Sequence, residues 1–442
     1  MLTLIVLLVA QHPANPARPP ADSGLSFQVG KAELTLAGPW RFKVGDDPTW
    51  GSPTYDDQGW ETISLAAPPG AHDGDVGLSG FVPGWGTRGH PGYSGFAWYR
   101  IRVRISGGAD SLAIAGPPYV EDAYQLFVNG QLLGGVGNFR DPVPSAFSTT
   151  PLLRTMPPTS VAVIALRVWM APEDALAAPD GGGVHIAPAL GTVPAMTARV
   201  RVEWMELIRG YFLEMLQAAV FVALAFGVLG LRQLDARPAY SWIAAGLLAT
   251  AVMRALLAVT AWTAWISLRQ FDLLENAGVI PVMIGAWCLA WWSVAGRRPH
   301  WLWKPIVAAT GMQMVGRVLA NGAILGGSVP ATHILNATIE IARLVLALAY
   351  VVPITWLVRE RGSQWALIAL TALLVGTGLF ASELSTVGIP GIWFPYGTGV
   401  SRTQFAYAAA NVTIALWLWS RLRELHGRTG APSVRPQHTG LT

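Results

Sequence analysis

The chain has a single cysteine, Cys288. No disulfide can form within it, so any domain it exports must be held by its own core. Several catalytic signatures are also missing. There is no HExxH, no pair of histidines on one apolar segment, and no serine nucleophile set beside a base, which argues against an intramembrane hydrolase. No internal repeat of the kind that builds many transporters is evident. Charge is scarce, at 13% of residues, and unevenly placed. Up to Ile208 there are 13 Lys+Arg against 18 Asp+Glu, a net −5, and the remainder has 17 against 8, a net +9. The positive excess therefore sits in the apolar half, where it suits loops facing an anionic leaflet. With no stripe of basic and stacking aromatic residues in the first half, nucleic acid is excluded as a partner.

What is present changes character at Arg209. A polar, Gly/Pro-rich stretch gives way to seven apolar runs, at 211–231, 240–260, 278–296, 301–325, 334–358, 365–389 and 403–420. A helix needs roughly 20 mainly apolar residues to cross about 30 Å of hydrocarbon, so these predict a seven-helix membrane bundle. Arg232 and Arg237, then Arg297, Arg298 and Lys304, then Arg359 and Arg361, then Arg421, Arg423 and Arg428 fall in alternate loops. Cytoplasmic loops carry the positive excess, which places the first half outside and the C-terminus in the cytoplasm. Residues 2–10 form a short apolar run before a Pro-rich stretch and read as an export signal, although no Lys or Arg precedes the run.

The first half reads as β. In AWYRIRVRI (97–105) apolar residues alternate with arginines, the pattern of a half-buried strand. Asn129-Gly130 in YQLFVNGQLL (124–133) is a two-residue hairpin signal, because both centre positions of a type I′ turn need positive φ. Residues 161–169 are apolar on both faces and read as a buried strand, with further strands at 33–37 and 40–44. Trp40, Trp60 and Trp98 are expected in the core, and Asp56 and Asp57 as turn formers. A loop at 171–183 is expected at the surface.

GPWRF (38–42), YDDQGW (55–60), AWYRIRV (97–103) and LFVNGQLLG (126–134) stand in the order seen in galactose-binding-like jelly rolls. The head resembles the sugar-binding domain that accompanies β-galactosidase- and β-glucuronidase-type hydrolases. Followed by seven spans, it resembles bacterial seven-transmembrane receptors with diverse intracellular signalling modules. That resemblance implies an inner-membrane, multi-pass receptor with a periplasmic head and a small-molecule or carbohydrate ligand. Such receptors usually continue into a catalytic output domain, whereas about 22 residues follow Ser420 here, so the expected output runs through a separate cytoplasmic protein. The expectation is thus a multi-domain, non-enzymatic chain without a cofactor. Its parts are a signal peptide and linker (1–23), an all-β jelly-roll head (24–194), a juxtamembrane helix (195–210), an all-α seven-helix bundle (211–420) and a disordered tail (421–442) that opens on a short helical stretch, 421–426.

Two sets of residues are candidates for function. The loop 68–95 is too long and too Gly/Pro-rich for a simple connection. It carries His72, Asp73, Asp75, Trp85, Arg88, His90 and Tyr93, an aromatic platform with hydrogen-bonding groups that suits a sugar face. His72, Asp73, Asp75 and His90 are also possible metal ligands, but their spacing matches no zinc signature, and no metal is assigned. The second set is intramembrane: Glu214, Arg254, Arg317, Glu340, Arg343 and Glu383. At 1.5 Å rise per residue all six fall in the outer part of the bundle, beneath the head. Charges there are expected to pair, with Glu340 and Arg343 as an i, i+3 couple. They form either a static clasp or a switch.

Overall fold

Thirteen short strands precede the helices in the computed structural model, which describes residues 25–28, 33–71, 79–107, 111–172, 181–296, 301, 303–325, 329–361, 365–386 and 402–429. The strands are β1 (Leu25–Gln28), β2 (Glu33–Thr35), β3 (Trp40–Val44), β4 (Glu61–Ile63), β5 (Gly95–Ser106), β6 (Leu112–Ala115), β7 (Val120–Glu121), β8 (Ala123–Val128), β9 (Gln131–Val136), β10 (Leu153–Thr155), β11 (Val161–Met170), β12 (Gly183–Val184) and β13 (Ala189–Thr192). One sheet runs β4-β3-β5-β11-β8-β9, with β1 added parallel to β5; a second runs β10-β6-β13-β2, and β12 pairs with β7. The apolar core draws on both large sheets, through Phe42, Tyr99, Leu126 and Ile164 from one and Ile114 and Leu190 from the other.

The hairpin at Asn129-Gly130 forms as the sequence predicts, with φ of 48° and 83° and Val128 opposite Gln131. β11 is buried on both faces: Ala162, Ile164, Leu166 and Val168 enter the main core, and Ala165 on the other face packs with Trp50, Trp60 and Trp98. Trp40, Trp60 and Trp98 are all buried. β5 departs from the expected alternation. Its middle too is buried on both faces, and Arg100 is fully buried. Its Nε donates to Asp57 Oδ2 at 2.9 Å, Nη2 donates to the Ser52 carbonyl at 3.0 Å, and Nη1 donates to the Trp50 carbonyl. The Asp57 side chain is therefore a buried counter-ion, while its carbonyl opens the turn by accepting from the Trp60 amide at 3.1 Å. Asp56 forms the turn through its side chain, accepting from the Gln58 amide at 3.1 Å.

The helices are α1 (Val193–Leu234), α2 (Pro238–Trp262), α3 (Leu268–Ala295), α4 (Trp303–Leu325), α5 (Val329–Arg361), α6 (Ala366–Leu379), α7 (Ala381–Thr386) and α8 (Arg402–Thr429). Four of them are long and apolar enough to cross a membrane: α1, α2, α3 and, within α5, Pro330–Arg359. α6 is apolar but only 14 residues long. The expected span 365–389 is interrupted at Phe380, where α6 gives way to α7, and its last residues lie outside the described ones. The juxtamembrane helix and the first span are one uninterrupted helix of 42 residues. Gly210, at the expected boundary, continues the helix and is buried in it, and Pro194 stands in the first turn, where its missing N–H costs nothing. The last helix continues through 421–429, beyond the short helical stretch expected, and 430–442 lie outside the described residues.

Candidate functional site

The described part of the loop 68–95 is pinned by its own side chains. Trp85 sits on a single 3-10 turn, Trp85–Thr87, and is 0% exposed. Its Nε1 donates to the Tyr93 carbonyl at 3.1 Å and its ring lies 6.1 Å from Phe42. The backbone of Gly182, at φ +94°, comes so close that a Cβ there would collide with the indole. The end of the 171–183 loop, expected at the surface, is thus buried against Trp85. Arg88 Nη1 donates to the Ser64 carbonyl at 2.5 Å, and burial lowers its pKa from the usual guanidinium value. His90 Nε2 stands 3.0 Å from Glu61 Oε2. The Tyr93 hydroxyl donates to the Phe96 carbonyl at 2.6 Å and accepts from the Gly45 amide at 3.1 Å, while burial raises its pKa. The structure brings these four together but spends their polar groups on pinning the loop to itself and to the neighbouring strands and turns, and Trp85 is a core residue with no face open to a ligand. His72, Asp73 and Asp75 lie outside the described residues.

Beside this loop is a buried pair that the sequence reading missed. His185 is 0% exposed; its Nδ1 donates to the Val82 carbonyl at 2.8 Å, its Nε2 is 3.4 Å from Glu121 Oε2, and Phe81 stacks on its ring at 4.5 Å. Glu121 Oε2 also accepts from the Gly182 amide at 2.7 Å. Burial by itself would raise the Glu121 carboxyl, but the neighbouring His185 ring and the Gly182 N–H outweigh it and hold the pKa below 4.5. A carboxyl that is more acidic folded than unfolded contributes stability that is complete above the unfolded pKa, near 4.5, and is lost as pH falls through the folded value. Glu121→Gln is therefore expected to flatten the acid limb of the head's thermal stability below about pH 4.5. Melting curves of the two proteins from pH 3 to 7, about half a unit apart, are the check; superimposable limbs would show that other carboxylates set the loss.

Among the described residues, head and helices meet at two places. The start of α1 packs on the four-stranded sheet, with Met196 and Val200 buried against Ala113, Ala115 and Ala189. The turn before α3 forms the second contact. The Leu268 amide donates to the Ala146 carbonyl at 2.9 Å, and its side chain packs with Ala123, Ala146, Trp169 and Ala171 of the head. A capping box, Ser267 with Gln270, fixes this helix start. One turn later α3 passes through a π-helical stretch, Leu273–Val279, that carries Glu275. Such bulges recur at functional positions.

Among the described residues, the six charges expected within the membrane resolve into two ion pairs and two separate residues. Arg254 of α2 reaches Glu214 of α1, its Nη1 donating to both carboxylate oxygens at 3.1 and 2.9 Å. Gln404 of α8 donates to Glu214 Oε1 at 2.7 Å, Gln217 donates to the Gln404 carbonyl at 2.6 Å, and the guanidinium lies 4.7 Å from the Tyr407 ring centre. Glu275 is within electrostatic reach of Arg254. Among the described residues, Arg254 Nε, Gln217 Oε1 and the Tyr407 hydroxyl are buried without a hydrogen-bond partner, so the locus can still accept polar contacts. Gln217, Glu275, Gln404 and Tyr407 were not among the expected site residues. Their only sequence signal is spacing: Glu214/Gln217 and Gln404/Tyr407 are i, i+3 pairs.

The second pair joins Arg343 of α5 to Glu383 of α7, with Nη2 donating to Glu383 Oε2 at 3.0 Å. This corrects the expected Glu340–Arg343 couple. Glu340 is exposed, and Arg343 turns toward the junction of α6 and α7, where it also donates to the carbonyl of Leu379, the last residue of α6, at 3.3 Å. Neither Arg317 nor Glu340 forms an ion pair among the described residues. Elsewhere in the bundle Trp287, Trp291 and Trp417 line a cavity of only about 30 Å³ that offers no ionisable group.

No family model matches the chain and no curated protein matches it. Among solved structures it is similar in part to a Bacteroides uniformis β-glucuronidase, 17% identical over 36% of this chain and 17% of that one, with a TM-score of 0.26. It is similar to the same degree to a Faecalibacterium prausnitzii β-glucuronidase, 16% identical over 37% and 31% of the two chains, TM-score 0.25. The chain thus spans less than a third of the length of either enzyme, and the likeness is confined to a fragment.

Proposed function

We propose that the chain is a membrane receptor. A galactose-binding-like jelly-roll head outside the membrane takes up a small-molecule or carbohydrate ligand. A seven-helix bundle, for which α4, α6–α7 and α8 supply the spans beyond the four long apolar helices, carries the change to a separate cytoplasmic protein. The observation that supports this reading best is the second head–bundle contact. Leu268 ties the head to the first turn of α3, and the π stretch of the same helix carries Glu275 within electrostatic reach of Arg254. A shift at the head rim therefore reaches a buried ion pair through a single helix. Coupling requires that the ligand bind two states of that helix unequally.

The test uses the full chain in lipid nanodiscs, titrated with a panel of mono- and oligosaccharides and followed by calorimetry and hydrogen exchange. Binding of at least one of them is expected, with altered exchange across 263–279. Leu268→Asp is expected to keep the binding and abolish the exchange response. Absence of binding across the panel, or binding that leaves 263–279 unchanged, refutes the proposal.

A further inference from the structure

α1 presents two faces of opposite character along its whole length. One carries Leu207, Gly210, Glu214, Phe221, Leu224 and Val228 into the protein. The other is exposed and has its own period. Val202, Met205, Arg209, Phe212 and Leu216 follow each other at steps of three and four, and all five are exposed. That alternation is the a/d seam of a coiled coil, with Arg209 as a single polar a position, a residue type that fixes register at some cost in stability. Continuing the register into the apolar half gives Ala219, Ala223 and Phe226, again exposed. The Ala219–Ala223 step is the small-xxx-small spacing that lets helix backbones approach within a bilayer.

Charges decide what the seam fits. In this register Arg201 is a g position and Glu206 the following e position. Both are exposed, and neither forms an ion pair among the described residues. In a parallel dimer g of one helix faces the next e of its partner, so Arg201 meets Glu206 twice, once on each side of the two-fold axis. The later g/e couples are Ile208 with Leu213 and Met215 with Val220, apolar combinations that suit proximity to lipid. We infer that α1 is the interface of a parallel homodimer, in which a second copy of this chain covers the exposed seam from Val202 to Phe226. The pairing is self-complementary, as a two-fold contact requires. It puts two heads side by side on one helical stalk, and it stands independently of which ligand the head takes.

The experiment uses the full chain in native membranes, where buried Cys288 stays unreactive. Met205→Cys is expected to give a disulfide-linked dimer on mild oxidation. Val315→Cys, comparably exposed on α4, is expected to stay monomeric. Arg201→Glu or Glu206→Arg added to Met205→Cys is expected to weaken dimerisation about tenfold by opposing like charges, and the double exchange Arg201→Glu with Glu206→Arg is expected to restore it. Because these charges are surface residues, the chain should fold in every variant, and a melting curve of each verifies this. Equal linkage from Val315→Cys, single reversals without effect, or a double exchange that fails to restore the dimer would overturn the assignment.

Discussion

Arg254→Leu is expected to cost the full chain about 3–5 kcal/mol, because it leaves the Glu214 carboxylate buried with only the Gln404 amide to answer it. Glu214→Leu alone strands the guanidinium in the same way. Combining the two removes both charges, and most of the loss is expected to return, since an apolar pair of similar volume often equals or exceeds a buried ion pair in stability. Reversible unfolding in mixed micelles by titration with dodecyl sulfate measures all three variants. A double variant as unstable as either single one would mean that the residues act separately. The result also bears on coupling: if the double variant is stable yet binding at the head no longer alters exchange in 263–279, the pair takes part in transmission as well as in holding helices together.

The second large effect is expected in the head. Arg100→Leu strands the Asp57 carboxylate beside the more distant Arg102, at 4.0 Å, and leaves the carbonyls of Trp50 and Ser52 without their donor. A loss of about 3–5 kcal/mol follows from uncovering one buried charge. Asp57→Asn, which keeps an acceptor for the guanidinium, is expected to lose less. The cluster of Trp50, Trp60 and Trp98 packs around this pair, so tryptophan near-ultraviolet dichroism and protease sensitivity of the head report the loss directly. Helical far-ultraviolet signal should persist, because among the described residues none of α1–α8 meets Arg100 through an ion pair or ring. A head that melts at its original temperature with Arg100→Leu would show that the pair contributes no net stability.

These cases mark how far the sequence could be read. Elements whose identity is local were legible. Asn129-Gly130 dictates its turn through φ, the run at 161–169 dictates a doubly covered strand through its apolar faces, and the apolar lengths dictate helices. Arg100 and Trp85 were misjudged because neither role is local. Alternation in 97–105 describes a strand with one wet face, and only the segment 50–60 folded across that face, with Asp57, Tyr55 and Trp60 over the guanidinium, makes Arg100 an interior residue. Trp85 in a Gly/Pro-rich loop looks like a free platform until the Gly182–Gly183 backbone closes over it from about 100 residues away in sequence. In the bundle, i, i+3 spacing favoured Glu340 with Arg343, but the helix turns Glu340 outward and sets Arg343 against α7.

The sequence by itself determined the division into a β-rich half and an apolar helical half, and the list of charges that the helices must accommodate. Apolar length, alternation and turn chemistry act between neighbours a few residues apart, and the sequence displays those neighbours. Which charge meets which, that a single helix runs from head to bundle with its seam left open, and that Leu268 seats the head on α3 were decided only by the tertiary structure. Each depends on the angular position of a side chain around its own helix or strand and on the element packed against it, and both are set when the whole chain has folded.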